Sequence, residues 1–117
     1  MLSGEIAEAA RIARGAGAIL MDVYATNFSV AYKAKADPVT EADTRANAVI
    51  VGELHKAFPG DGIVAEESPD RSDALLSGRC WYVDPVDGTQ EFVARNGEFA
   101  VMMGLAIDGA SVLGVVY

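Results

Sequence analysis

Apolar positions recur three or four residues apart from Ser3 to Tyr24, at Ile6, Ala9, Ala10, Ala13, Gly17, Leu20 and Tyr24. That period lays an apolar stripe along one helix, and its small residues predict close packing against a neighbour. Residues 27–32 read as a short strand or an extended link, and residues 33–38 as a loop. A second helix is predicted from Thr40, where Thr40 and Asp43 fit the reciprocal N-terminal capping pattern with Asp in place of the usual Glu. Ala42, Ala46, Val49, Ile50, Leu54 and Ala57 form its stripe, and Pro59-Gly60 stops it.

Beyond Gly60 the period shortens. Residues 62–65 and 80–83 are apolar runs bounded by turn residues, which predicts buried strands on either side of a polar loop at 68–78. Residues 99–107 and 111–117 read as longer strands joined through Asp108-Gly109, a strong hairpin signal. Two helices followed by a run of strands predict an α/β layered arrangement. The sequence ends inside the apolar run Gly114-Val-Val-Tyr117, and an apolar strand without a neighbour leaves an open edge. The expectation is that the sequence is the front part of a longer domain.

Charge narrows the function classes. The 117 residues carry 9 Lys plus Arg against 17 Asp plus Glu, a formal net charge of -8. With 51% hydrophobic residues the chain is far from a disordered acidic tail. Its acidity argues against binding a nucleic-acid polymer, which requires a basic face. One cysteine, Cys80, excludes an internal disulfide and any cysteine-rich zinc site. His55, the single histidine, falls in the second helix and reads as an ordinary surface or core residue. Glu5, Glu8, Arg11 and Arg14 interrupt any signal-peptide pattern, and no run approaches the ~20 apolar residues of a membrane span. A cytoplasmic location without membrane partners is expected.

Carboxylates collect where two strands are predicted to end. Glu66-Glu67 follows one, and Asp84-Pro85-Val86-Asp87-Gly88-Thr89 follows the other. Strand ends are where layered α/β proteins build sites, and Mg²⁺ takes oxygen ligands of this type. Pro85 fixes one backbone angle and Gly88 permits a tight turn, which could aim Asp84, Asp87 and the Val86 carbonyl at common metal positions. Thr89 reads as a helix N-cap before Gln90-Glu91-Phe92-Val93, where backbone N–H groups attract phosphate. Each fragment also has an ordinary reading. Glu66-Glu67 is equally a solvated turn, Asp-Pro-x-Asp-Gly a generic turn, Asp43 and Thr89 helix caps, and Lys33 and Lys35 solvated charges.

In combination, three motifs in order resemble the inositol monophosphatase superfamily of Mg²⁺-dependent, lithium-sensitive phosphatases. They are Val39-Thr40-Glu41-Ala42-Asp43, Glu66-Glu67-Ser68 and Trp81-Tyr-Val-Asp84-Pro-Val-Asp87-Gly-Thr89. The resemblance spans nearly the whole chain and implies the inositol monophosphatase/fructose-bisphosphatase fold, an α/β (α+β layered) sandwich with two N-terminal helices packed on a mainly antiparallel sheet, of which the C-terminal half would be absent here. The run Gln90-Glu-Phe-Val-Ala-Arg95-Asn-Gly-Glu-Phe99 and the ending Val112-Leu-Gly-Val-Val-Tyr117 are most similar to the 3′(2′),5′-bisphosphate nucleotidase branch, which acts in sulfur assimilation.

Carried over by position, the resemblance makes Glu66, Asp84, Asp87 and the Val86 carbonyl metal ligands, with Glu67 as a supporting acid. It makes Asp43 and Thr89 the pair that activates a water, and Gly88 and Thr89 the backbone holders of the substrate phosphate. It implies two or three Mg²⁺ ions, with Mn²⁺ as a substitute, a small phosphorylated substrate and a homodimer. The implied reaction is hydrolysis of the 3′-phosphate of adenosine 3′,5′-bisphosphate. Inositol monophosphatase and fructose-1,6-bisphosphatase are the alternatives within the superfamily, and an inactive metal-binding fragment is the alternative outside catalysis. Three departures stand out: Gln90 replaces the Lys usual in the nucleotidases, the loop before Val39 is short, and a Trp-Asp motif carrying a further metal-binding Asp is missing.

Overall fold

The computed structural model describes residues 2–33, 37–66 and 78–117. Its elements run α1 (Ser3–Tyr24), β1 (Val30–Lys33), β2 (Asp37–Thr40), α2 (Glu41–Ala57), β3 (Gly62–Ala65), β4 (Arg79–Asp87), α3 (Thr89–Ala94), β5 (Ala100–Ile107) and β6 (Ala110–Val116). A four-stranded sheet has the order β3-β4-β5-β6, parallel between β3 and β4 and antiparallel thereafter. A separate hairpin pairs β1 with β2.

Strand alternation decides which sheet face the helices cover. Trp81 and Val83 on β4 lie beside Leu105 and Met103 on β5, and all four are buried. They meet Ile12, Ala16 and Leu20 of α1 and Ile50 and Leu54 of α2 in one core. Tyr82, Met102 and Val116 alternate onto the opposite face and remain exposed. The expected layering of helices on a mainly antiparallel sheet is therefore present.

Several local expectations shift. The buried stripe of α1 is Ala9, Ile12, Ala13, Ala16, Leu20 and Val23, whereas Ile6 is 51% exposed. Alanines scattered around this helix make neighbouring stripes nearly equivalent in the sequence, and contact with both α2 and the sheet selects among them. On α2, Val49 and Ala57 face outward while Asp43 and Asn47 are buried. Residues 37–38 pair with β1 and are strand, where a loop was expected. β4 continues through Asp87, with a register shift between Asp84 and Asp87, so the acidic motif is a bulged strand end. The Asp108-Gly109 hairpin turn is present, both residues having positive φ as its two-residue geometry demands. Most of the expected 68–78 loop lies outside the described residues.

One polar lock joins α1, β4 and the turn before β3, which sequence patterning does not connect. Asp61 accepts from Arg79 Nε (2.9 Å), Arg79 Nη2 (3.1 Å) and the Trp81 indole (2.9 Å), while Arg79 also reaches Glu5 of α1 (3.1 Å). The hydrogen bond to Asp61, foremost, raises the Arg79 pKa further. Replacing Asp61 by Ala strips the acceptor from the Trp81 indole N–H and takes two hydrogen bonds from Arg79, which keeps its bond to Glu5. The expected cost is about 1–3 kcal/mol, read as a lower urea midpoint with unchanged slope.

Candidate active site

Parallel pairing of β3 with β4 brings the first acidic group beside the second. Ala65 lies opposite Val83, and the Glu66 amide continues the ladder onto the Val83 carbonyl at 3.0 Å. Glu66 and Asp84 thus leave adjacent strands side by side, and Asp87 follows beyond the bulge. All three line a cavity of ≈ 1040 Å³, together with Tyr82, Met102 and Val116.

Their charges are coupled. Burial, then the charges of Glu66 and Asp87, push Asp84 up to about 7 from 3.8. A hydrogen bond shared with Glu66 adds to the rise, and one from the Val86 backbone N–H opposes it. In the folded chain the Asp84 proton is retained at pH values where the unfolded chain has lost it. Stability therefore falls as pH rises between 3.8 and about 7 and stays lowered above that window. Asp84→Asn removes this penalty. Without metal it is expected to melt higher than the unaltered chain at pH 8, the gap closing toward pH 4. Thermal melts across that range check it; a gap independent of pH would show that Asp84 is not the source.

A second group forms at the start of α2. Thr40 caps the helix, its Oγ1 accepting from the Ala42 N–H at 3.1 Å. Asp43 Oδ2 accepts from both the Thr40 N–H and the Thr40 hydroxyl, each at 2.8 Å, completing the capping box. Asp43 is 1% exposed, and its other oxygen, Oδ1, accepts from the Thr89 hydroxyl at 2.9 Å. The same hydroxyl lies 3.1 Å from the Val86 carbonyl. Asp43 is thus both a helix cap and a partner of Thr89, the two readings its sequence context left open.

Thr89 is the first residue of α3, and Gly88, not Thr89, is its N-cap. Gly88 has φ 92°, and a Cβ there would stand 2.7 Å from the Glu98 carbonyl oxygen. Both the left-handed backbone and the space demand glycine. The structure therefore assembles Asp43, Val86, Gly88 and Thr89 in one place, with Asp87 next to Gly88 and Glu66 and Asp84 on the other side of the bulge. Glu67 lies outside the described residues.

The donors fit a hard divalent cation in kind, being oxygens from carboxylates that repel one another and so gain from a shared positive charge. Among the described residues, no three His, Cys, Asp or Glu side chains converge into a group that could hold a metal ion as they lie. Asp61 and Arg79 were missed in the sequence because their pairing spans separate elements. Arg95 was legible only as part of a motif. Among the described residues, no helix is long and apolar enough to cross a membrane.

Comparison with known proteins gives a consistent result. The model of the inositol monophosphatase family matches residues 2–117. The chain is 43% identical over 110 residues to the 3′(2′),5′-bisphosphate nucleotidase CysQ of Escherichia coli O157:H7, covering 92% of this chain and 45% of that protein. It superposes on the extragenic suppressor protein SuhB of Bartonella henselae with a TM-score of 0.91 and 36% identity, over 98% of this chain and 45% of that one. For CysQ of Bacteroides thetaiotaomicron, described as a bacterial member of the same family, the TM-score is 0.81 at 31% identity, over 100% and 43% respectively. The chain thus spans less than half the length of these relatives.

Proposed function

The chain belongs to the inositol monophosphatase family, and from that premise we propose that it serves a Mg²⁺-dependent phosphomonoesterase that removes the 3′-phosphate of adenosine 3′,5′-bisphosphate. The observation that carries the reading is the 2.9 Å hydrogen bond from Thr89 to Asp43, which joins residues 46 positions apart beside the coupled carboxylates. Donation to a buried carboxylate fixes the direction of the Thr89 O–H. The remaining Oγ1 lone pairs can then accept from a water and hold it in one orientation. Asp43 is itself held by the capping box, so the acceptor does not wander.

In this reading Glu66, Asp84, Asp87 and the Val86 carbonyl hold Mg²⁺, with Glu67 in support. Bound there, a divalent cation would supply Lewis acidity for phosphate-ester hydrolysis. Gly88 and Thr89 present backbone N–H groups to the substrate phosphate at the strand-to-helix turn. Attack by an oriented water needs no covalent enzyme intermediate.

The nucleotidase branch is favoured by the 43% identity to a CysQ protein and by the Arg95–Phe99 motif. Initial rates at saturating Mg²⁺ on adenosine 3′,5′-bisphosphate, inositol 1-phosphate and fructose 1,6-bisphosphate test the choice. Fastest release is expected from the first. Preference for either of the others would move the activity elsewhere in the family, and Gln90, which departs from the nucleotidase Lys, would be the first residue to revisit.

A further inference from the structure

Helix α3 has six residues and carries Thr89 at its first position. So short a helix does not hold its own geometry in water, so its attachments decide where the hydroxyl points. Phe92, at its middle, is fully buried against the rings of Tyr24 (5.1 Å), Phe28 (5.0 Å) and Phe99 (4.8 Å). A ring in an apolar pocket fixes depth well and rotation poorly, because its contacts are not directional.

The directional attachment is at the other end. Arg95, the C-cap of α3, donates from Nη1 to the Tyr24 carbonyl at 2.6 Å and from Nη2 to the Thr26 carbonyl. Its guanidinium lies over the Phe28 ring at 4.7 Å and the Tyr24 ring at 5.3 Å. These carbonyls lie at the C-terminal end of α1, whose last turn has no basic residue of its own, where a cation is electrostatically favoured. The planar fork meets two carbonyls at once, which a lysine ammonium does not reproduce.

Arg95 also sits at φ 60°, left-handed backbone that a non-glycine residue adopts at a cost. The chain then turns back through Asn96, whose Oδ1 accepts from the Glu98 N–H at 2.9 Å. It brings the Glu98 carbonyl and Phe99 Cα against Gly88. The segment pinned by Arg95 therefore abuts the residue that precedes Thr89.

We propose that Arg95 is a positioning residue: by clamping the end of α3 to the end of α1, it fixes the rotation of α3 and so holds the Thr89 hydroxyl on Asp43. The proposal rests on the reading of Thr89 as the water-orienting group. Arg95→Lys keeps the charge and loses the fork. Arg95→Gly relieves the left-handed backbone and loses the guanidinium, so a purely capping role would leave it neutral or stabilising.

Amide hydrogen exchange on the 117-residue chain tests this without requiring turnover. The Phe92 N–H, bonded to the Gly88 carbonyl at 2.9 Å, reports on α3, and the Val101 N–H, bonded to the Tyr117 carbonyl at 3.0 Å, on the sheet. In both variants Phe92 is expected to exchange about tenfold faster while Val101 changes little. Unchanged exchange at Phe92, or equal acceleration at Val101, overturns the proposal. In turnover, kcat should fall in both variants at unchanged KM; a rise in KM alone would also overturn it. Thr89→Val separates the two claims, since full activity in that variant would defeat the reading of Thr89, whereas the exchange result judges the clamp.

Discussion

Asp84→Asn is expected to abolish Mg²⁺-dependent phosphate release while leaving the fold intact. Asp84 is the middle carboxylate of the coupled set, facing Glu66 across the β3–β4 pairing and Asp87 across the bulge. An amide in its place keeps the shape and removes the charge that a divalent cation would meet. Metal-assisted stabilisation of a phosphoryl transition state is worth several kcal/mol, and about 4 kcal/mol corresponds to ~10³ in rate. The loss should appear at every Mg²⁺ concentration tested, together with weaker Mg²⁺ binding by calorimetry. Because the same substitution removes a repelled, half-buried charge, metal-free Asp84→Asn should melt higher at pH 8. Lower activity with higher stability is a signature that a merely structural carboxylate would not give. Loss of both would show that Asp84 supports the fold instead.

Asp43→Ala carries the largest expected loss of stability. The carboxylate is buried and accepts from the Thr40 N–H, the Thr40 hydroxyl and the Thr89 hydroxyl. Removing the cap's partner costs about 1 kcal/mol, and stranding buried donors costs about 1–3 kcal/mol each. The Thr89 hydroxyl can recover by donating to the Val86 carbonyl, and the Thr40 hydroxyl by turning, so a net loss of roughly 3–4 kcal/mol is expected. Against the ~5–15 kcal/mol typical of a folded domain that is severe. It should be visible as a fall of ~10–20 °C in melting temperature. Asp43→Asn separates fold from function. Its carbonyl oxygen can still serve one of the two partners, so stability should suffer less. Its amide nitrogen cannot accept from the other, so hydroxyl orientation and turnover should fail. Equal activity in Asp43→Asn and the unaltered chain would remove Asp43 from the water-orienting pair.

The parts of this molecule that were legible in its sequence share a physical cause: they rest on local rules. The α2 start was readable because a capping box is written within four residues, and the Asp108-Gly109 hairpin because its two turn residues must adopt positive φ. Strands β3, β5 and β6 followed from apolar runs with clear boundaries. The stripe of α1 was misplaced by the helix's abundance of alanine, which makes Ile12 and Val23 no more conspicuous than Ile6 until tertiary contacts select a face. The acidic motif looked like a loop because Asp, Pro and Gly favour turns; pairing with β5 instead carries it on as a bulged strand.

At the site, the separate carboxylates and Thr89 were visible, but their meeting was not. The contact between Asp43 and Thr89 depends on how α2, β4 and α3 pack, and no periodicity encodes it. Asp61 with Arg79 and Arg95 with Tyr24 are long-range pairs of the same kind. The Arg95–Phe99 segment stood out only through family resemblance, while its physical role depends on where the last turn of α1 ends.

Inorganic phosphate released from adenosine 3′,5′-bisphosphate, titrated from metal-free conditions to saturating Mg²⁺ with folding monitored in the same samples, tests the central claim most directly. Release absent without metal and rising to a plateau with it is the expected result. Release that is indifferent to Mg²⁺, or none at all from folded protein at saturating Mg²⁺, would contradict it.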